Sequence, residues 1–400
     1  MAFVLLPLYY KLNLTSIYTY LDVRFGKTAY RTGASFFLLS KMLGAAARLY
    51  LVCLILQNYV FGSMGVPFEI TAAGTVFLIW LYTFRGGIKS LVWTDALQTL
   101  CLITALVLIL YQLCRLNDFT VTEAIWHVTE SPYGRWIEWD DWTSRQHFAK
   151  QFFSGVFIVI VMTGLDQDMM QKNLTCKNLR DAQKDMCSYG FSFIPLNMLF
   201  LGMGILLLAL ASREGIALPV KGDDILPLFC AEGYLGNEVL VLFTIGIIAA
   251  AFSSADSALT ALTTSFCVDI LDVERRFARP EAVRKRVHGV IALLFVGFIL
   301  CFEAVNDSSV IDAIYVVASY TYGPLLGLFA FGMFTRRKPC PAAVPWICVT
   351  APVCCYLLDV WTASIYGYRF GYELLMLNGF FTFMGLYAFS KAYSQGMDKR

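Results

Sequence analysis

The chain has 400 residues, 58% of them hydrophobic and only 15% charged, with a mean hydropathy of +0.63. A soluble domain holds roughly 45–50% apolar and about 25% charged residues, so both departures point toward a membrane and away from a soluble enzyme, a nucleic-acid binder or a disordered chain. The net charge of +2 says little, because the signs are sorted by loop.

In chain order, residues 1–10 are a short apolar stretch with no basic leader and no small-residue cleavage site. The stretch is a poor signal peptide and reads as the tail of a span whose beginning is missing. Apolar runs then predict spans near 34–60, 69–85, 89–114, 151–166, 187–212, 238–266, 287–304, 310–334, 341–361 and 370–392. At about 20 apolar residues per crossing, that is ten full transmembrane helices plus a partial one at the N-terminus. The fold class is all-α, a polytopic membrane protein, and residues 1–400 read as one transmembrane domain. Lys and Arg alternate in the loops with a bias of about three to one, which puts the Lys11–Arg31, Lys172–Lys184, Arg275–Arg286 and Arg336–Lys338 loops and the C-terminus in the cytoplasm. The long loop 115–150 is then external, acidic and rich in tryptophan (Trp126, Trp136, Trp139, Trp142), as residues at a membrane interface are. The three histidines, His127, His147 and His288, sit in or beside loops. None of the 12 cysteines forms a pair with metal-ligand spacing, so they read as small buried hydrophobes.

Polar groups are expensive in hydrocarbon, so polar clusters inside spans are functional candidates. The strongest is Ala249-Ala250-Ala251-Phe252-Ser253-Ser254-Ala255-Asp256-Ser257, continuing through Thr260, Thr263, Thr264 and Ser265 to Asp269. Ser253, Ser257, Thr260 and Thr264 fall on one helical face. Small-residue packing explains the hydroxyls but leaves the carboxylate of Asp256 unexplained. Oxygen donors with a carboxylate among them suit a hard monovalent cation such as Na⁺. Asp95, in Trp93-Thr94-Asp95, is a second carboxylate near the end of its span; the competing reading is an acid at a helix N-terminus. Gly164-Leu165-Asp166-Gln167-Asp168 reads as a broken helix or a span's exit. Lys41 and Arg48, seven residues apart on one face, can snorkel, pair with acids or hold a solute carboxylate.

These motifs resemble the sodium/solute symporter family, with the nearest echoes in the sodium/proline permease branch. Gly44-Ala45-Ala46-Ala47-Arg48-Leu49-Tyr50 resembles its third core helix, and Leu81-Tyr82-Thr83-Phe84-Arg85-Gly86-Gly87 before Trp93-Thr94-Asp95 resembles the link into its fifth. The Ser253-Ser254 run resembles its eighth helix, and Tyr322-Gly323-Pro324 before Arg336-Arg337-Lys338 its tenth. The resemblance implies a LeuT-type inverted-repeat bundle with sites where helices break. It implies a sodium-coupled symporter of a small organic solute, such as an amino acid or carboxylate, working by alternating access. It places the protein in the plasma membrane, as in the bacterial inner membrane, with Na⁺ as coupling ion and no organic cofactor. Its partners are the solute, sodium ions and the lipid bilayer, with no nucleic acid and no obligate protein partner.

Carried over by position, Ala250 (through its carbonyl), Ser253 and Ser254 match half of the main sodium site. Asp95, Ser253, Asp256 and Ser257 match a second sodium site of some members. Asp256 departs from the hydroxyl commoner there and is open to three roles: strengthening that site, binding a proton, or structure. Arg48, Thr163, Tyr320 and Tyr322 are the candidates for the solute pocket, and Met162-Thr163 in place of the sugar branch's aromatic pair argues against a sugar. The family expects two helices before the one in which Met1 begins, so the first core helix is expected to be missing. The rival readings are a sensory or non-transporting relative and an intramembrane enzyme built on an Asp95/Asp256 pair. The motifs favour a transporter, not an enzyme.

Overall fold

A computed structural model describes residues 1–12, 16–83, 88–135, 137–220, 222–305 and 310–392. The first half runs through α1 (Leu5–Leu12), α2 (Thr19–Phe25), α3 (Lys27–Leu56, extended by a π-turn Gln57–Phe61), α4 (Phe68–Thr83), α5 (Ile88–Leu116) and α6 (Val121–Glu130). After α7 (Phe148–Val159, ending in a π-turn Ile160–Gly164) come α8 (Gln167–Leu174), α9 (Leu179–Glu214) and α10 (Ile225–Ala231). The second half holds α11 (Asn237–Ser265, with a π-turn Phe266–Leu271), α12 (Val273–Arg276), α13 (Pro280–Val305), α14 (Val310–Thr321), α15 (Gly323–Phe334), α16 (Ala343–Tyr366) and α17 (Leu374–Ala388). A two-stranded antiparallel ladder pairs β1 (Arg337–Pro339) with β2 (Ser390–Ala392).

Each predicted span has a counterpart. Six helices are long and apolar enough to cross a membrane by themselves, namely α3, α5, α9, α11, α13 and α16. Two bent pairs reach that length together, α7 with α8 at 63° and α14 with α15 at 43°, and α4 and α17 are shorter apolar helices. The first span begins at Lys27 rather than near 34, because Gly26, at φ 94°, starts the helix one loop earlier than hydrophobicity alone suggests. The loop 115–150 is partly helical: α6 opens with a capping box in which Thr120 and Glu123 exchange hydrogen bonds.

Large apolar side chains such as Phe77, Leu100, Phe191, Leu201, Leu293 and Trp346 point outward, as a lipid-facing surface requires. The interior holds large apolar side chains such as Phe37, Phe295 and Phe329 together with small residues and polar groups. Ala45, Ala46, Ala47, Ala255 and Ala258 let α3, α11 and α13 approach closely.

Both helix breaks have local causes. At the first, Asp166 leaves helical geometry and its carboxylate accepts from the N–H groups of Asp168 and Met169, capping α8. At the second, Pro324 occupies the first turn of α15, where its missing N–H costs nothing. The carbonyls freed at the end of α14 are met by Asn378, whose Nδ2 donates to Ser319 O (3.0 Å) and Tyr320 O (2.9 Å). Gly323 is required there, since a Cβ would lie 2.2 Å from Asn378 Cγ. Unpaired carbonyls cannot be left in a membrane interior, so the buried Asn378 is what allows this helix to break.

Candidate functional site

The first polar centre forms at the elbow between α7 and α8. Lys41, from the middle of α3, reaches Asp168 Oδ2 at 2.8 Å and Asp166 Oδ1 and Oδ2 at 3.2 Å. The hydroxyl of Tyr322, at the α14/α15 break, donates to Asp166 Oδ2 at 3.0 Å. All four side chains are buried. The open carbonyls of the elbow are also met: Tyr9 donates to Gly164 O (2.9 Å) and Tyr18 to Leu165 O (2.8 Å). Gln167 Oε1 accepts from the N–H of Ile17 at 2.8 Å. The elbow is therefore a closed network in which each charge has a charged partner. The broken helix expected at Gly164–Asp168 is found, and of the readings open to Lys41, pairing with acids is the one realised. The pairing excludes Lys41 as the counter-ion of Asp256.

The second centre lies on α11. Asp95 of α5 accepts from the hydroxyl of Ser253 through Oδ1 and pairs through Oδ2 with Lys172 of α8 at 3.0 Å. One turn along α11, the fully buried Asp256 accepts from the hydroxyl of Tyr82 on α4 through Oδ2. Among the described residues its Oδ1 and the Oγ of the buried Ser257 make no hydrogen bond of good geometry. Ser254 is exposed. Ala250 is part of α11, and its side chain lies outside the described residues, as do those of Trp93 and Thr94. Buried oxygens left unmatched on a face that also presents a carboxylate are the donor set a hard cation needs. Asp95 and Asp256 turn to different partners, Lys172 with Ser253 and Tyr82, so they do not form a shared-proton acid pair.

The solute candidates scatter. Arg48 is half-buried on α3, two turns beyond Lys41; its Nε donates to Gly44 O at 3.0 Å, and among the described residues no hydrogen bond or ion pair engages its Nη groups. Thr163 is half-buried in the π-turn at the end of α7. Tyr322 belongs to the closed elbow, whereas Tyr320 is half-buried and its carbonyl serves Asn378. His288, expected in or beside a loop at the start of the 287–304 span, is buried within α13, which begins at Pro280, and Thr83 and Thr263 supply the hydrogen bonds that let a histidine sit there.

A profile described as the Sodium:solute symporter family matches residues 1–344. The chain belongs to that family. Among its relatives are the sodium/sialic acid symporter NanT of Aliivibrio fischeri, 26% identical over 355 residues, covering 85% of this chain and 67% of that protein. SiaT of Proteus mirabilis is 26% identical over 356 residues, covering 86% and 70%. The sodium-dependent multivitamin transporter of Oryctolagus cuniculus is 28% identical over 360 residues, covering 86% and 54%. The solved structure of a Na⁺-coupled sialic acid symporter, substrate-bound and outward-open, superposes with a TM-score of 0.78 at 21% identity, covering 98% of this chain and 81% of that one. That structure is described as revealing a novel Na⁺ site. The fold is thus the LeuT-type bundle that the motifs implied. This family member is a multi-pass membrane transporter that couples solute to Na⁺ by alternating access, and it is not an enzyme. The relatives named here are sialic acid and multivitamin symporters, so the expected placement in the proline-permease branch gives way to membership of the family as a whole.

Sequence reasoning missed Tyr82, Lys172 and Asn378. Lys172 was one of many positive charges in a loop count, and Tyr82 carried no signal apart from its neighbours. Asn378, a lone amide in an apolar run, was a readable sign that a neighbouring backbone needed donors.

Proposed function

We propose that this symporter moves a small carboxylate-bearing solute, with the Arg48 guanidinium as its anchor. The observation that supports the reading is the half-buried Arg48, whose Nη groups make no hydrogen bond or ion pair among the described residues while Lys41 two turns away is engaged by two carboxylates. A planar guanidinium offers the two parallel donors that a carboxylate accepts. The relatives agree in chemistry, since the sialic acid of the NanT and SiaT symporters carries that group. Thr163 and Tyr320, both half-buried, fill out the pocket in this reading, and Tyr322 holds its floor through Asp166.

For the ions, the Ala250 carbonyl, Ser253 and Ser254 hold the main Na⁺. Asp95, Ser253, Asp256 and Ser257 hold a second, and the unmatched oxygens of Asp256 and Ser257 are the feature in favour. The basic bias of the loops sets the C-terminus in the cytoplasm and the chain in the plasma membrane. The test is uptake of radiolabelled N-acetylneuraminate, lactate and proline into proteoliposomes under an imposed Na⁺ gradient. At least one carboxylate solute should accumulate, Arg48→Gln should raise its half-saturation at least tenfold, and K⁺ should not replace Na⁺. Failure of all three to accumulate, or an Arg48→Gln protein with unchanged half-saturation, refutes the assignment.

A further inference from the structure

Away from both centres, His288 of α13 sits between Thr83 of α4 and Thr263 of α11. Its Nε2 lies 3.0 Å from Thr83 Oγ1 and its Nδ1 3.0 Å from Thr263 Oγ1. All three residues are buried. A hydroxyl carries one hydrogen, and both are already committed: Thr83 donates to Ile79 O at 2.8 Å, and Thr263 to Leu259 O at 2.7 Å. Each threonine therefore presents only lone pairs to the ring. A neutral imidazole has one N–H and one bare nitrogen, so one of its two contacts would set lone pair against lone pair. Two ring donors satisfy the arrangement as it stands.

We propose that His288, clasped by Thr83 and Thr263, is a proton-binding site joining α4, α11 and α13. Loading forms the second ring N–H bond, directed at a threonine oxygen. Release breaks it, and the hydroxyl opposite the bare nitrogen turns from its carbonyl to donate to the ring. The proton thus trades one threonine-to-carbonyl bond for one threonine-to-histidine bond, and the choice falls on α4 or on α11.

No hydrogen bond or ion pair joins the ring to a charged group among the described residues. On α4 the neighbouring titratable group is Tyr82, whose hydroxyl is given to Asp256. On α11, Asp256 lies two turns before Thr263, and Asp269, beyond it, is held by Tyr30 (2.6 Å) and Ser265 (2.5 Å). On α13, Arg284 and Lys285 are exposed about one turn earlier. The same two helices that clasp the ring carry Tyr82 and Asp256, so the proton adjusts the joint beside the α11 oxygens without touching them.

The test is ¹⁵N-histidine NMR of the full chain in lipid nanodiscs between pH 5 and 9. The chain has 3 histidines, and His288→Gln identifies the signal of interest by its loss. The expected result is a ring with two N–H groups at the acid end and one at the basic end. Thr263→Val removes one acceptor and should lower that midpoint by about one pH unit or more, the size of a hydrogen bond to a charged group; Thr263→Ser should restore it. If His288→Gln does not fold, the Thr263→Val shift identifies the same signal. A single neutral tautomer throughout, or a midpoint indifferent to Thr263→Val, overturns the proposal.

Discussion

The elbow at Asp166 and the α11 face at Asp256 are both buried carboxylate centres in the membrane interior, yet they differ in what they leave undone. At the elbow one ammonium, one phenol and two backbone N–H groups meet two carboxylates. On α11 a carboxylate oxygen and a hydroxyl face each other's surroundings with no partner. A closed network holds helices in register, and an open one has capacity for a ligand. Depth in the membrane and the presence of a carboxylate are common to the two centres; hydrogen-bond accounting is where they differ.

The largest effect expected breaks the closed centre. Lys41→Met strands two buried carboxylates and should cost about 3–5 kcal/mol, the usual penalty for removing one partner of a buried pair. Thermal unfolding in detergent should show a large loss for Lys41→Met, partly recovered by adding Asp168→Asn. In the same assay Asp256→Asn should melt near the parent, because the amide can still accept from Tyr82. A reversal of that order would mean the open centre is the structural one.

A smaller effect sharpens the open centre. Ser254 is exposed and has no partner, so Ser254→Ala should change folding by no more than about 0.5 kcal/mol. Loss of one oxygen ligand should weaken Na⁺ by about 1–3 kcal/mol, roughly five- to 150-fold in half-saturation. Sodium titration of transport decides it, and an unchanged half-saturation reduces the serine to packing.

The smallest effect lies outside the membrane, at the start of α6. The N–H and hydroxyl of Thr120 hold the Glu123 carboxyl below its ordinary range. A carboxylate depressed in the folded state adds stability above its unfolded pKa and loses it as pH falls through the folded value. Hydrogen exchange of residues 121–130 should therefore quicken as pH drops below about 4, after correction for intrinsic rates. Glu123→Gln should remove that pH dependence; if it persists, the cap is not its source.

Hydrophobicity along the chain was enough to place an apolar helix at each of the ten predicted runs, because burial in lipid is a local property of some 20 consecutive residues. Runs of small residues and hydroxyls likewise marked α11, and the Gly164–Asp168 motif marked the first break, since backbone chemistry acts on its neighbours; the second, at Tyr322–Pro324, lay inside a run that read as one span. Partner choice was different in kind. Lys41 had Asp95, Asp166, Asp168 and Asp256 available in the sequence, and only packing set it on a pair 125 and 127 positions away. Lys172 read as a loop charge until α8 folded back and set it on Asp95. His288 stood at the edge of its predicted span, and only the fold brought two threonines from other helices onto it. Coulombic and hydrogen-bond energies fall off over a few ångströms, so which buried charge is satisfied and which is left open to a ligand depends on distances that the tertiary structure alone sets.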